Sequence, residues 1–100
     1  MIQRFVFVKL LDHEVATRVA LAARLRAELV EAGADVTVGV PADDSAVRWD
    51  LSIVIEAASL AAWEALAAHA AVIAALADIA TRAAIVKAWS FEVQGQLPEP

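Results

Sequence analysis

One hundred residues make one domain with room for a single core, and a composition that is 61% hydrophobic and 21% charged excludes intrinsic disorder. A net charge of −5, with eight basic residues scattered along the chain, excludes binding driven by nucleic-acid phosphates. The lack of cysteine excludes disulfide and thiolate chemistry and makes the cytoplasm the expected compartment.

Residues Ile2–Leu10 alternate and are rich in β-branched and aromatic side chains, which predicts a strand. One face carries Arg4, Val6, Val8 and Leu10, and the other Gln3, Phe5, Phe7 and Lys9. The apolar opening runs into Lys9 without a small-residue cleavage site, so no signal peptide is expected. Asp12 predicts the cap of a helix with Glu14 in its first turn. Its buried stripe is expected at Val15, Val19, Ala22, Leu25 and Leu29, with ion pairs Glu14–Arg18 and Arg24–Glu28 on the wet side. Gly33 stands where a C′ glycine belongs.

Residues 35–40 predict a short second strand, and the turn-rich residues 41–46 a loop. Residues 48–57 predict a third strand. Trp49, Leu51, Ile53 and Ile55 are expected on one face, and Asp50, Ser52, Val54 and Glu56 on the other. Ser59 suits the N-cap of a helical region that reaches Arg82, as one helix or as two broken near His69. Its uncharged run, residues 65–77, falls short of the roughly 20 residues that span a bilayer, so no membrane span is expected. Residues 84–93 predict a fourth strand. One domain over residues 1–93 and a polar tail over 94–100 complete the chain.

The order βαββ, helix or helix pair, then β predicts an α+β fold, an antiparallel sheet with helices on one face. Such a sheet needs only one apolar face. Here Phe5, Phe7, Val54, Trp89 and Phe91 stand opposite in parity to the set that helices would cover, and they are too large a patch to leave wet. A face-to-face homodimer follows, with Lys9 and Glu56 on the same face available to set its register.

The segment WDLSIVIEA, residues 49–57, resembles the Y-D-L-A-L-V-x-E-F strand of the stress-responsive dimeric α/β-barrel (Dabb) family. The opening RFVFVKL is similar to that family's H-x-V-L-F-K strand, and Val38–Gly39 to its V-G before the long loop. The helix from Ser59 to His69 resembles the one that leads to an H-P-x-H motif, and Ser90–Glu92 the closing D-F-E. The resemblance covers nearly the whole chain. It implies a ferredoxin-like βαββ(αα)β sheet, two of which pack as a dimeric barrel, and a small cavity in each subunit between sheet and helices.

In polyketide-cyclising members, histidines, a tyrosine and an aspartate do the chemistry. The matching positions here are Arg4 and Leu51 for two strand histidines, Leu66 for the tyrosine, Val72 for the second motif histidine and Ser90 for the aspartate. His69 alone survives, and its neighbouring proline is Ala70. A proton-transfer group needs a partner that fixes its proton, and that pair is gone. The same cyclase chemistry is therefore not expected.

His69 reads either as a lone acid/base or ligand contact, or as a polar residue at a helix end. Arg4 reads either as the anchor for a carboxylate or enolate of a small ligand, or as one half of an ion pair or a solvent-reaching guanidinium. Trp49 and Trp63 read as pocket walls or as core, and His13, between Asp12 and Glu14, as a surface residue. No zinc spacing, nucleophile elbow or phosphate loop is present, so neither metal nor cofactor is expected. The expectation is a cytoplasmic homodimer that binds a small apolar or aromatic molecule. A cofactor-free cyclase, isomerase or oxygenase would suit the architecture, and the alternative is a non-catalytic stress protein whose dimer is the functional unit.

Overall fold

A computed structural model describes residues 1–46 and 48–94; the polar tail expected over 94–100 lies, beyond Gln94, outside them. Four antiparallel strands and three helices follow in the order β1 (Ile2–Leu10), α1 (Arg18–Glu31), β2 (Asp35–Gly39), β3 (Leu51–Ala57), α2 (Leu60–Ala67), α3 (Ala70–Thr81) and β4 (Ala83–Glu92). The sheet order is β2-β3-β1-β4, so the two most apolar strands lie in the middle and the fold is ferredoxin-like.

Register fixes the faces. Val6 lies opposite Ile53 and Ala88, whereas Phe5 lies opposite Val54 and Trp89. The first set packs under α1–α3 with Leu21, Ala22, Leu25, Leu29, Val72, Ala75 and Ile79 as the core. The second set looks away from every helix. Two-faced alternation in β1 therefore has the consequence expected from it.

Three local expectations are corrected. Residues 12–17 form 3-10 turns before α1, and Asp12 caps nothing; Leu11 is the capping position and makes no side-chain bond. At three residues per turn instead of 3.6, this segment shifts the phase of the helix that follows. Within α1 itself, at about 100° per residue, Val19 lies about 160° from Leu21 and about 120° from Leu25, so it is 67% exposed while Leu21 is buried. Glu14 pairs with Arg82 at 3.2 Å instead of Arg18, which reaches Asp50 at 3.3 Å. The Arg24–Glu28 pair forms as expected, at 3.4 Å.

At the other end of α1 the glycine expectation holds. Gly33 has φ +95°, its N–H donates to Val30 O, and Ala34 N–H donates to Leu29 O. These two bonds are a Schellman closure, which needs a left-handed residue at C′. Gly39 is required for a different reason: a Cβ there would lie 2.8 Å from Ser52 Oγ.

The third strand begins at Leu51, three residues later than the pattern predicts. Asp50 is buried and accepts from Leu10 N–H at 2.8 Å, where β1 shifts register against β4 between Lys9 and Leu10. The β1–β3 ladder ends at Val8 with Leu51, and beyond that end the carboxylate supplies the partner for a main-chain donor. Ahead of it, Trp49 swings to the face opposite Leu51.

The helical region breaks in two at Ala68–His69, with a bend of 73°. Ser59 caps α2 as expected, accepting from Ala62 N–H at 3.1 Å. No single helix among the described residues is long and apolar enough to cross a membrane. Arg24, Glu28, Asp78, Arg82 and Glu14 form an ionic chain along the surface from α1 to α3 and on to the 3-10 turns. The hydrogen bond from Arg82 to Asp78, and then the charge of that carboxylate, raise the Arg82 pKa above its ordinary value.

Candidate functional site

Between β1, β3 and β4 on one side and α2 and α3 on the other lies a partly enclosed cavity of about 200 Å³. Its floor is Val6, Val8 and Ile53, its roof Trp63, Leu76, Ile79 and Ala80, and its outer side Val86 and Ala88 of β4. Alternation builds this surface: Arg4, Val6 and Val8 share one face of β1, opposite Ser90, Ala88 and Val86 of β4. Arg4 is the single charged residue among the described residues of the wall.

The arginine is held on two sides. Its Nη1 donates to Ser90 Oγ at 3.1 Å, and its guanidinium carbon lies 5.5 Å from the centre of the Trp63 ring. A cation over an indole face is attracted by the ring quadrupole, and stacking leaves the in-plane N–H groups directed outward. No carboxylate lies within ion-pair reach of Arg4 among the described residues. The ion-pair reading of Arg4 is thereby removed within the described chain.

The remaining pocket expectations separate. Val72 and Leu51 are fully buried in the core, and Leu66 packs beside it. Trp49 is corrected: its ring sits 5.8 Å from that of Phe7, on the open face, because the chain crosses sides at Asp50. There it bounds a smaller recess of about 170 Å³ with Gly39, Val40 and Pro41.

His69 does not line the helix–sheet cavity. Its Nδ1 accepts from Ala71 N–H at 3.2 Å, which makes the residue the N-cap of α3. An unprotonated ring nitrogen is a serviceable acceptor for a helix's first free donors. The side chain borders an open, charged groove of about 700 Å³ between α1 and α3, with Arg24, Glu28, Glu31 and Asp78. His13 is exposed, 3.7 Å from Glu14. Among the described residues no cluster of His, Cys, Asp or Glu is suited to a metal ion.

The open face is a platform of rings. Phe5 and Phe7 stack at 6.5 Å, Phe91 meets Phe5 edge-on at 5.7 Å, and Trp89 meets Phe7 at 5.8 Å. Phe91 remains 56% exposed and Trp89 44%. Val54 and the Lys9 and Glu56 side chains border it, half-buried. Lys9 and Glu56 stand at opposite ends of the sheet, since Glu56 pairs with Gln3, roughly 20 Å along β1 from Lys9. They cannot meet within one subunit.

Sequence reasoning missed Leu76, Ile79 and Ala80 as cavity wall, since an apolar helix does not declare which of its core-facing residues border a void. Val6, Val8, Val86 and Ala88 carried a usable signal: they alternate in step with Arg4 and Ser90.

Comparison with solved structures places this arrangement among ferredoxin-like proteins. A dimeric ferredoxin-like protein of unknown function from Thermobifida fusca is 22% identical, with 92% of this chain and 90% of that chain covered and a TM-score of 0.69. Hydroxynitrile lyase from Passiflora edulis is 10% identical, with 97% and 96% covered and a TM-score of 0.78. An antibiotic biosynthesis monooxygenase is also 10% identical, with 95% and 100% covered and a TM-score of 0.72. At these identities the likeness shows the fold alone. No protein-family model matches the chain, and no curated protein sequence does.

Proposed function

We propose that the protein is a cytoplasmic homodimer of the stress-responsive Dabb type that binds a small apolar or aromatic molecule between sheet and helices. The observation that carries the reading is the cavity of about 200 Å³, apolar over most of its wall and fitted with one oriented cation. Few, well-placed polar groups in an apolar hollow are the usual makeup of a small-molecule site.

The dimer is supported by the ring platform. Aromatic side chains present about 150–250 Å² each, and a standard interface takes about 800 Å² from each partner. Phe5, Phe7, Trp49, Trp89 and Phe91, with Val54 and Ile85, each leave part of their side chain open and form the apolar centre of such a patch. Similar solved structures such as the one from Thermobifida fusca are dimeric. Lys9 of one subunit and Glu56 of the other are the charges available to set the register.

Binding is favoured over turnover. Lyase and monooxygenase chemistry occurs on this fold, but among the described residues the cavity wall carries no histidine or carboxylate to move a proton. His69, the residue retained from the cyclase pattern, caps a helix outside the cavity.

Mass spectrometry of small molecules released on denaturing the purified protein tests the cavity. A compound retained by the wild type and lost from Ala88→Trp supports it; retention by both proteins defeats it. Sedimentation tests the assembly: a wild-type dimer that Phe7→Glu turns into folded monomer supports the interface, and an intact Phe7→Glu dimer refutes it.

A further inference from the structure

We infer that the ligand is an organic monoanion, a carboxylate on one aromatic ring or a comparably small branched body, with its carboxyl held by Arg4 and Ser90. This deepens the preceding proposal and depends on the cavity being a binding site.

Charge gives the first argument. Arg4, Arg18 and Arg82 are the half-buried arginines of the described chain. Arg18 has Asp50, and Arg82 has Glu14 and Asp78. Arg4 faces a ring, a hydroxyl and an apolar hollow. Glu92, on the same face of β4 opposite Ile2, makes no ion pair with it. A part-buried cation of this kind gains most from an anion that arrives with the ligand.

Geometry gives the second. Ser90 occupies Nη1 and the guanidinium carbon sits over the Trp63 ring, and the Nε–Nη2 edge has no described partner. Two parallel N–H groups on that edge match the two oxygens of a carboxylate. Ser90 Oγ accepts from Arg4, so its own O–H remains free to donate to the same group.

Size and net charge give the third. An apolar cavity of about 150 Å³ holds benzene, so about 200 Å³ admits one ring with a carboxyl group and little more. A dianion such as a phosphate monoester would leave one charge uncompensated against Val6, Val86 and Ile79. A neutral ligand would leave the guanidinium unmatched.

Titration of the protein with benzoate and 3-phenylpropionate, each against its own primary amide, tests the inference by NMR chemical shifts. Each acid should bind about tenfold more tightly than its amide. Arg4→Met should erase that preference, weakening the acid about tenfold more than the amide. Ser90→Ala, at an exposed position, should reduce the preference in the same direction. Equal binding of acid and amide by the wild type, or a preference that survives Arg4→Met, overturns the anion while leaving the cavity standing. Failure of both acid and amide to shift any cavity resonance overturns the cavity and the anion together.

Discussion

The two faces of β1 share one strand and one alternation but meet different surroundings. Val6, Val8 and Leu10 are buried by this chain's own helices, whereas Phe5 and Phe7 touch chiefly other rings on a surface that no helix covers. Burying a large apolar side chain is worth about 1.5–3 kcal/mol, so the uncovered face holds unspent stabilisation that only another surface can realise. One face builds the fold, and the other is the face assigned to the proposed dimer.

Concentration separates them. Ile55→Ala, at a fully buried site of the covered face, should cost about 2–5 kcal/mol in urea unfolding, equally at low and high protein concentration. Phe5→Ala should cost less in dilute protein and more in concentrated protein, because its loss is felt through the dimer. A concentration-independent Phe5→Ala would break the contrast. The chain crosses between faces at Asp50. Asp50→Ala strands Leu10 N–H and unpairs Arg18, and should cost about 2–3 kcal/mol in the same measurement. Ser59→Ala, at the cap of α2, should cost about 1 kcal/mol. Asp78→Ala removes the partner that Arg24 and Arg82 share; these are exposed pairs, so a loss of at most about 1 kcal/mol is expected.

The fold was legible because apolar period is a coarse and robust signal. The four strands, the Schellman glycine that closes α1 and the Ser59 cap stand near their predicted places, whereas α1 begins at Arg18 and not after Asp12. Phase was not legible. Residues 12–17 wind as 3-10 turns where a regular helix is expected, and at the buried Asp50 the chain carries Trp49 to the opposite face. Both depend on tertiary bonds, from Arg82 to Glu14 and from Leu10 to Asp50, between residues far apart in sequence. The site divided in the same way. Arg4 and Ser90 meet because strand register is simple to extrapolate, whereas His69 kept two readings. A residue at a helix break caps one helix or faces a cavity according to the angle of the bend, and the helix-end reading is the one its cap bears out.

Beyond its first residue β4 is exposed in every side chain, and among the described strands it pairs with β1 alone. Its amides should exchange with deuterated solvent soonest among the four strands when the protein is diluted, and be protected again on reassociation. Once loosened, AIVKAWSF is a sticky ribbon with a bare edge, so precipitation on storage should start there and be slowed by whatever keeps the subunits together.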